Sequence, residues 1–240
     1  YQYDPVYHGP VLYYATALGF MLFGDTDFTA RLSPVVSGLL SLLMAWPLRR
    51  YLGRWGALSF LVLLTLSASF TYFTRFLRHD IYVALCNLVA VFCLFEYGRT
   101  RRPLQLYASA AALSLAFCTK EDMYVLGVVF LVAMVFTMAW EVVYATNTKE
   151  ALQATTQEVR DGFKQATLPL ITSLLIFITI WLVCYTSFFT HPEHWNRVGR
   201  AISYWKGQHE MERIGGAWYY YFTYLLKMWY EQPIFIPALL

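Results

Sequence analysis

Two short clusters of ionisable side chains stand out in an otherwise apolar chain. Arg75, Arg78, His79 and Asp80 fall close enough together at the end of an apolar run that at least two of them share a helical face. A charge held inside a bilayer costs about 2.5–3.5 kcal/mol, so such a cluster at depth implies a ligand or a partner. At the interface the same side chains reach water along their aliphatic stems and only anchor a helix end. The residues alone leave both readings open. In the second cluster, Lys120 can contact a phosphate, and Glu121 or Asp122 can accept hydrogen bonds from sugar hydroxyls or ligate a metal. A solvated turn accounts for them equally well. His8, between Tyr7 and Gly9-Pro10, taken alone reads as structural. His191-Pro192-Glu193-His194 offers two imidazoles and a carboxylate. Pro192 is expected to prevent regular i, i+3 presentation and no third ligand is evident, so no metal site is expected there.

Other chemistries lose support. The chain has no phosphate-binding Gly-x-x-x-x-Gly-Lys loop, dinucleotide fingerprint, zinc-protease helix or Gly-x-Ser-x-Gly elbow. Cys86, Cys93, Cys118 and Cys184 all sit inside apolar runs and read as free, packed thiols. The net charge is +3 and the basic residues are scattered in pairs and triplets, so nucleic acid is excluded as a partner.

The elements that position these residues are membrane helices. The chain is 58% hydrophobic, 19% aromatic and only 14% charged, far from the composition of a soluble domain. Its long apolar runs are separated by tight charged turns, so the bilayer is the expected solvent. The fold class expected is all-α: a polytopic transmembrane bundle of about six full spans, an interfacial helix and the start of a seventh span. The interfacial helix covers 11–23, with Asp27 capping the first span. The spans are expected at 29–48, 57–74, 81–95, 104–118, 123–144 and 167–189. Polar segment 145–165 is expected as a surface helix. A single transmembrane domain then covers 1–240: an opening loop and interfacial helix at 1–28, the spans at 29–189, an aromatic loop at 190–231 and the next span from 232 to 240. Trp and Tyr in that loop suit the headgroup level. Residue 1 is Tyr and the chain stops within an apolar run, so it reads as a fragment of a longer protein.

Alternation of the spans places both charged clusters and all five histidines on one side. Lys and Arg divide evenly between the sides overall. In the short loops, however, the Arg-rich turns at 49–54 and 99–102 dominate, which assigns them to the cytoplasm. The histidine-bearing side is then extracytoplasmic.

Taken in order, several motifs form a pattern: Tyr7-His8-Gly9-Pro10-Val11-Leu12-Tyr13-Tyr14, Phe23-Gly24, Ala30-Arg31-Leu32 opening a span, Arg75-Phe76-Leu77-Arg78-His79-Asp80 and Lys120-Glu121. With Tyr204-Trp205-Lys206-Gly207-Gln208-His209 and Trp218-Tyr219-Tyr220-Tyr221, this pattern resembles the C-type (GT-C) membrane glycosyltransferases that use polyprenyl-phosphate sugars. These include the protein-mannosyltransferase and aminoarabinose-transferase kinds. The chain is most similar to the archaeal and bacterial flippase-activity-associated family, and the resemblance covers almost all of it.

The resemblance implies an inverting transferase in a prokaryotic plasma membrane, moving a sugar from a polyprenyl-phosphate donor to an extracytoplasmic protein, lipid or glycan. Under it, Arg75, Arg78 and Lys120 meet the donor phosphate. Asp80, Glu121 and Asp122 orient sugar hydroxyls or hold a divalent cation, Mg or Mn, the one cofactor left open. His8, His79, His209, Trp218 and Tyr219 complete the binding set. The family's catalytic acid belongs to a loop expected upstream of Tyr1, and within the chain Asp80 is the best candidate. The alternative function is a transporter, or a flippase-associated protein that binds the same lipid without breaking a bond.

Overall fold

In a computed structural model, the protein is described over residues 8–120, 123–144, 148–196 and a few helical positions between 199 and 207. The described residues are helical, with no strand among them. They form two compact units. One holds the described residues of 12–85 and of 196–207, and the other those of 8–11 and 86–195.

The surface of both units is inverted relative to a water-soluble fold. Leu39, Leu43, Trp46, Phe95, Val132 and Leu175 are exposed, whereas Ser37, Ser41, Ser109, Ser114 and Thr119 are buried. Apolar side chains face out where the solvent is lipid, and small residues that let helices approach closely turn inward. The protein is a helical integral membrane protein.

In the first unit, α1 (Val11–Phe23) leads through a turn at Gly24, whose φ of 85° suits glycine, into α2 (Asp27–Leu43). Thr26, rather than the expected Asp27, caps α2, its hydroxyl accepting from the Thr29 backbone N–H at 3.1 Å. The first span is bent by 41° between α2 and α3 (Ala45–Leu66). Pro47 explains the break, because its ring clashes with the carbonyl four residues earlier, at Leu43, where α2 ends. The basic turn expected at 49–54 is instead helical as far as 52, and the chain reverses at Gly53, with φ 71°.

The second span, expected unbroken over 57–74, is interrupted at Ser67. There the Ser67 hydroxyl accepts from the Phe70 N–H and starts α4 (Ala68–Arg75). α4 packs tightly on α2. A Cβ on Gly38 would overlap Thr74 Cγ2 and lie 3.0 Å from Thr74 Cβ. The Ser33 and Tyr82 hydroxyls share a 2.6 Å hydrogen bond that fixes α5 (Asp80–Thr100) to the same helix. Leu12, Ile81 and Tyr82 form the local core, with Phe70 and Phe73 against it.

The second unit is built around α6 (Pro103–Phe117), which carries buried small residues on more than one face. Ser109 donates to the Ala90 carbonyl of α5 at 3.2 Å, and Ser114 donates to the Phe177 carbonyl of α8 (Thr148–Tyr185) at 2.8 Å. α7 (Met123–Val143) also packs on α8. The polar segment expected as a separate surface helix is continuous with the sixth span. Nothing between 148 and 168 breaks the helix, and together they form one rod of 38 residues, about 57 Å long. The rod ends at Tyr185 rather than Phe189, because Ser187, Phe188 and Phe189 take left-handed φ of 50°, 58° and 65°. None of the four cysteines is in a disulfide.

Among the described residues, α5 and the 166–185 part of α8 are by themselves long and apolar enough to cross a bilayer, and the bent α2–α3 pair passes the same test only when its two helices are counted as one span. α1, α6 and the 127–140 core of α7 are shorter apolar helices.

Candidate functional site

The first charged cluster sits where α4 ends and α5 begins. Arg75 closes α4 as its last residue and is exposed. The chain then runs extended through Phe76, and α5 opens on Asp80. Arg78 Nε lies 3.2 Å from Asp80 Oδ2, with the two side chains 52% and 25% exposed. The guanidinium also stands 5.6 Å from the Phe73 ring centroid. The ion pair uses Nε, one of the donors of a half-exposed guanidinium. The His79 carbonyl accepts from the Tyr82 and Val83 amides, and its ring meets Tyr13 of α1 edge-on at 6.2 Å. Arg78, His79 and Asp80 are therefore brought together at the positive end of α5.

In the second unit, the His8-Gly9-Pro10 strip lies on the end of α6. Val11 N–H donates to the Cys118 carbonyl at 3.2 Å. Pro10, Cys118 and Thr119 are almost fully buried, and Lys120, half-buried, leads out of this corner. Gly9 is required here: a Cβ would overlap the Cys118 carbonyl and stand 2.8 Å from the Thr119 nitrogen. Gly9 is not legible as a site residue in the sequence, because its role depends on a contact with residues more than a hundred positions away. Glu121, Asp122, His209, Trp218 and Tyr219 lie outside the described residues, as do most of the aromatic loop and the next span at 232–240.

Pro192, expected to prevent regular i, i+3 presentation of the two imidazoles, instead opens a turn that presents them three residues apart. Pro192–Asn196 forms a short 3-10 turn, in which residues three apart are eclipsed. His194 N–H donates to the His191 carbonyl at 3.1 Å, and the two rings stack 5.2 Å apart with planes 14° from parallel. Glu193, the carboxylate of this motif, places Oε1 3.2 Å from His191 Nδ1 and 3.8 Å from His194 Nε2. The Glu193 carboxyl is held below its usual range, chiefly by a hydrogen bond to its own backbone and further by His191, against a smaller desolvation effect.

At the far end of α5, Glu96 is buried and paired with Arg99 at 2.6 Å, a contact that anchors the helix within one turn.

A model of the family described as dolichyl-phosphate-mannose-protein mannosyltransferase matches residues 7–156, more than half of the 240-residue chain. The matched stretch includes both charged clusters and the His8-Gly9-Pro10 strip. No curated protein and no solved structure matches the chain.

Proposed function

Because the chain belongs to the dolichyl-phosphate-mannose-protein mannosyltransferase family, we propose that it transfers a sugar from a polyprenyl-phosphate donor to an extracytoplasmic acceptor, with inversion at the anomeric carbon. The setting proposed is the plasma membrane of a prokaryote, and the order of motifs supports a place near the flippase-activity-associated group. The observation that carries the reading is the Arg78–Asp80 pair at the opening of α5. As the glycosidic bond breaks, negative charge develops on the departing phosphate, and a guanidinium fixed in advance stabilises it without having to reorganise. The amide groups at the start of α5 add positive potential at the same place.

Asp80 positions Arg78 in this scheme. His79 is held by Tyr13 and by its own carbonyl bonds at the edge of the same site. In the second unit, Lys120 is a separate candidate contact for phosphate. If a divalent cation, Mg or Mn, takes part, the acidic residues of these clusters are the oxygen ligands that suit it.

The test is transfer of a radiolabelled sugar from a polyprenyl-phosphate donor by the full-length protein. Arg78→Ala is expected to lower kcat by about 10²–10³, with normal expression and helix content. Arg78→Lys should recover part of that loss, since it restores charge without the planar fork. Undiminished transfer by Arg78→Ala rejects the site. Donor binding without transfer in the wild type would replace the enzyme with a lipid-binding or transport protein.

A further inference from the structure

We infer that His191, Glu193 and His194 form a binding site for a divalent ion of the zinc class, presented by the turn that follows α8. The inference rests on geometry in the second unit and on no part of the transfer reaction.

The backbone here is held by hydrogen bonds that return to the end of α8. Phe188 N–H returns to the Val183 carbonyl at 2.8 Å, Phe189 N–H reaches the buried Thr186 hydroxyl at 3.1 Å, and His191 N–H donates to the Thr186 carbonyl at 2.9 Å. Three successive left-handed residues, Ser187 to Phe189, cost about 1–2 kcal/mol each outside glycine. These returning bonds hold the turn and fix the position of His191 against the end of α8. Pro192 then presets the 3-10 turn that eclipses His191 and His194.

The ligand atoms fit an ion. The imidazole nitrogens and the Glu193 carboxylate oxygen all lie within 4.8 Å of one another, and two of the three separations are 3.2 and 3.8 Å. A tetrahedral ion with bonds of about 2.0–2.1 Å spaces its ligand atoms about 3.4 Å apart. The longest edge therefore has to close by about 1.4 Å at most. The stacked rings must also turn so that both planes meet the ion. That motion is about χ2, a broad and soft torsion, and His191 and Glu193 are exposed enough to make it.

Two imidazoles and one carboxylate select zinc and its neighbours over Mg or Ca, which prefer oxygen alone. Three protein ligands leave the fourth tetrahedral position to water or another ligand. Bound there, the ion would join the 3-10 turn into one ring of contacts and stiffen the exit from α8.

The experiment uses the full-length protein in detergent, with no polyhistidine tag. The protein is stripped with a chelator, returned to chelator-free buffer, and titrated with Co(II) while its visible d–d absorption is followed. One equivalent is expected to bind at micromolar concentration with the intense spectrum of a tetrahedral centre, and to be displaced by Zn(II). His191→Ala, His194→Ala and Glu193→Gln should each weaken binding by at least the 10–100-fold that loss of a mere outer-shell partner costs. Helix content and elution volume should stay unchanged. His191→Cys supplies a thiolate at the same point and should add a sulfur-to-cobalt charge-transfer band absent from the wild type. Three results would each overturn the inference: no binding below millimolar Co(II), undiminished binding in the double His191→Ala/His194→Ala variant, or a loss confined to one histidine.

Discussion

Gly9→Ala is the perturbation whose outcome the structure fixes most tightly. The added methyl would overlap the Cys118 carbonyl and stand 2.8 Å from the Thr119 nitrogen. These are backbone atoms at the end of α6, so no side chain can rotate away to make room. Overpacking by one methyl costs about 1–3 kcal/mol. If the strip lifts instead, the 3.2 Å bond from Val11 N–H to the Cys118 carbonyl stretches, and leaving such a group unsatisfied costs about 1–3 kcal/mol. The two responses share the strain, giving about 2–4 kcal/mol in total. Thermal unfolding of the full-length protein in detergent reads the effect. One kcal/mol moves Tm by about 2–4 °C in a chain of this size, so a fall of about 5–15 °C is expected. Gly98→Ala is the companion measurement, because nothing lies within 4 Å of its added Cβ. In the last turn of α5 that change should stabilise by up to about 0.5–1 kcal/mol. If Gly9→Ala melts within a degree of the wild type while Gly98→Ala behaves as expected, the packing of the His8-Gly9-Pro10 strip on α6 is wrong.

Gly38→Ala should cost about 1–3 kcal/mol by driving a methyl into Thr74. Thr74→Ser removes the overlapped Cγ2 and keeps the hydroxyl that donates to Thr71 at 2.8 Å, so the double variant should recover most of the loss in the same unfolding assay. For the 2.6 Å bond between Ser33 and Tyr82, a double-mutant cycle with Ser33→Ala and Tyr82→Phe should give a coupling of about 0.5–1.5 kcal/mol. Additivity within error would show that the bond adds nothing.

The existence of every helix was legible because apolar runs are punctuated by Gly, Pro and charge. Their ends were less so, for separable reasons. Neither Pro47 nor Ser67 interrupts the spans expected at 29–48 and 57–74, because whether such a residue bends, caps or is tolerated depends on what packs beside it, and Pro34 sits inside α2 without ending it. The change from polar to apolar near Thr167 suggests a helix boundary in the sequence. Polarity reports which solvent a face meets, not where a hydrogen-bond ladder stops, and the ladder of α8 runs straight through. At the candidate sites, Arg78 and Asp80 stand in one cluster of the sequence, but residues two apart do not face each other on a helix, so their pairing depends on the extended backbone that precedes α5. The His191–Glu193–His194 grouping was not legible, because α-helical spacing does not hold where the backbone is 3-10. Gly9 stands in the sequence only within the His8-Gly9-Pro10 motif, since a close approach across the chain leaves no local pattern.

The charged cluster of the first unit owes its geometry to uncharged neighbours. Thr74, one residue before Arg75, is pressed onto Gly38, and Tyr82, two residues after Asp80, is bonded to Ser33. Both flanks of segment 75–80 are therefore pinned to α2, at points five residues apart, or about 7.5 Å along its axis. Neither contact uses the hydrophobic effect, which has little hold between helices surrounded by lipid; close approach and one hydrogen bond do the work instead. A guanidinium can stabilise charge in a transition state only if it is already in place, and a misplacement of about 1 Å can cost a hundredfold in rate. Changes at Gly38 or Ser33 should then lower kcat through Arg78 while making no contact with substrate. Thr74→Ser should restore turnover and stability together in Gly38→Ala. Recovery of stability with turnover still lost would mean that α2 does not set the position of Arg78.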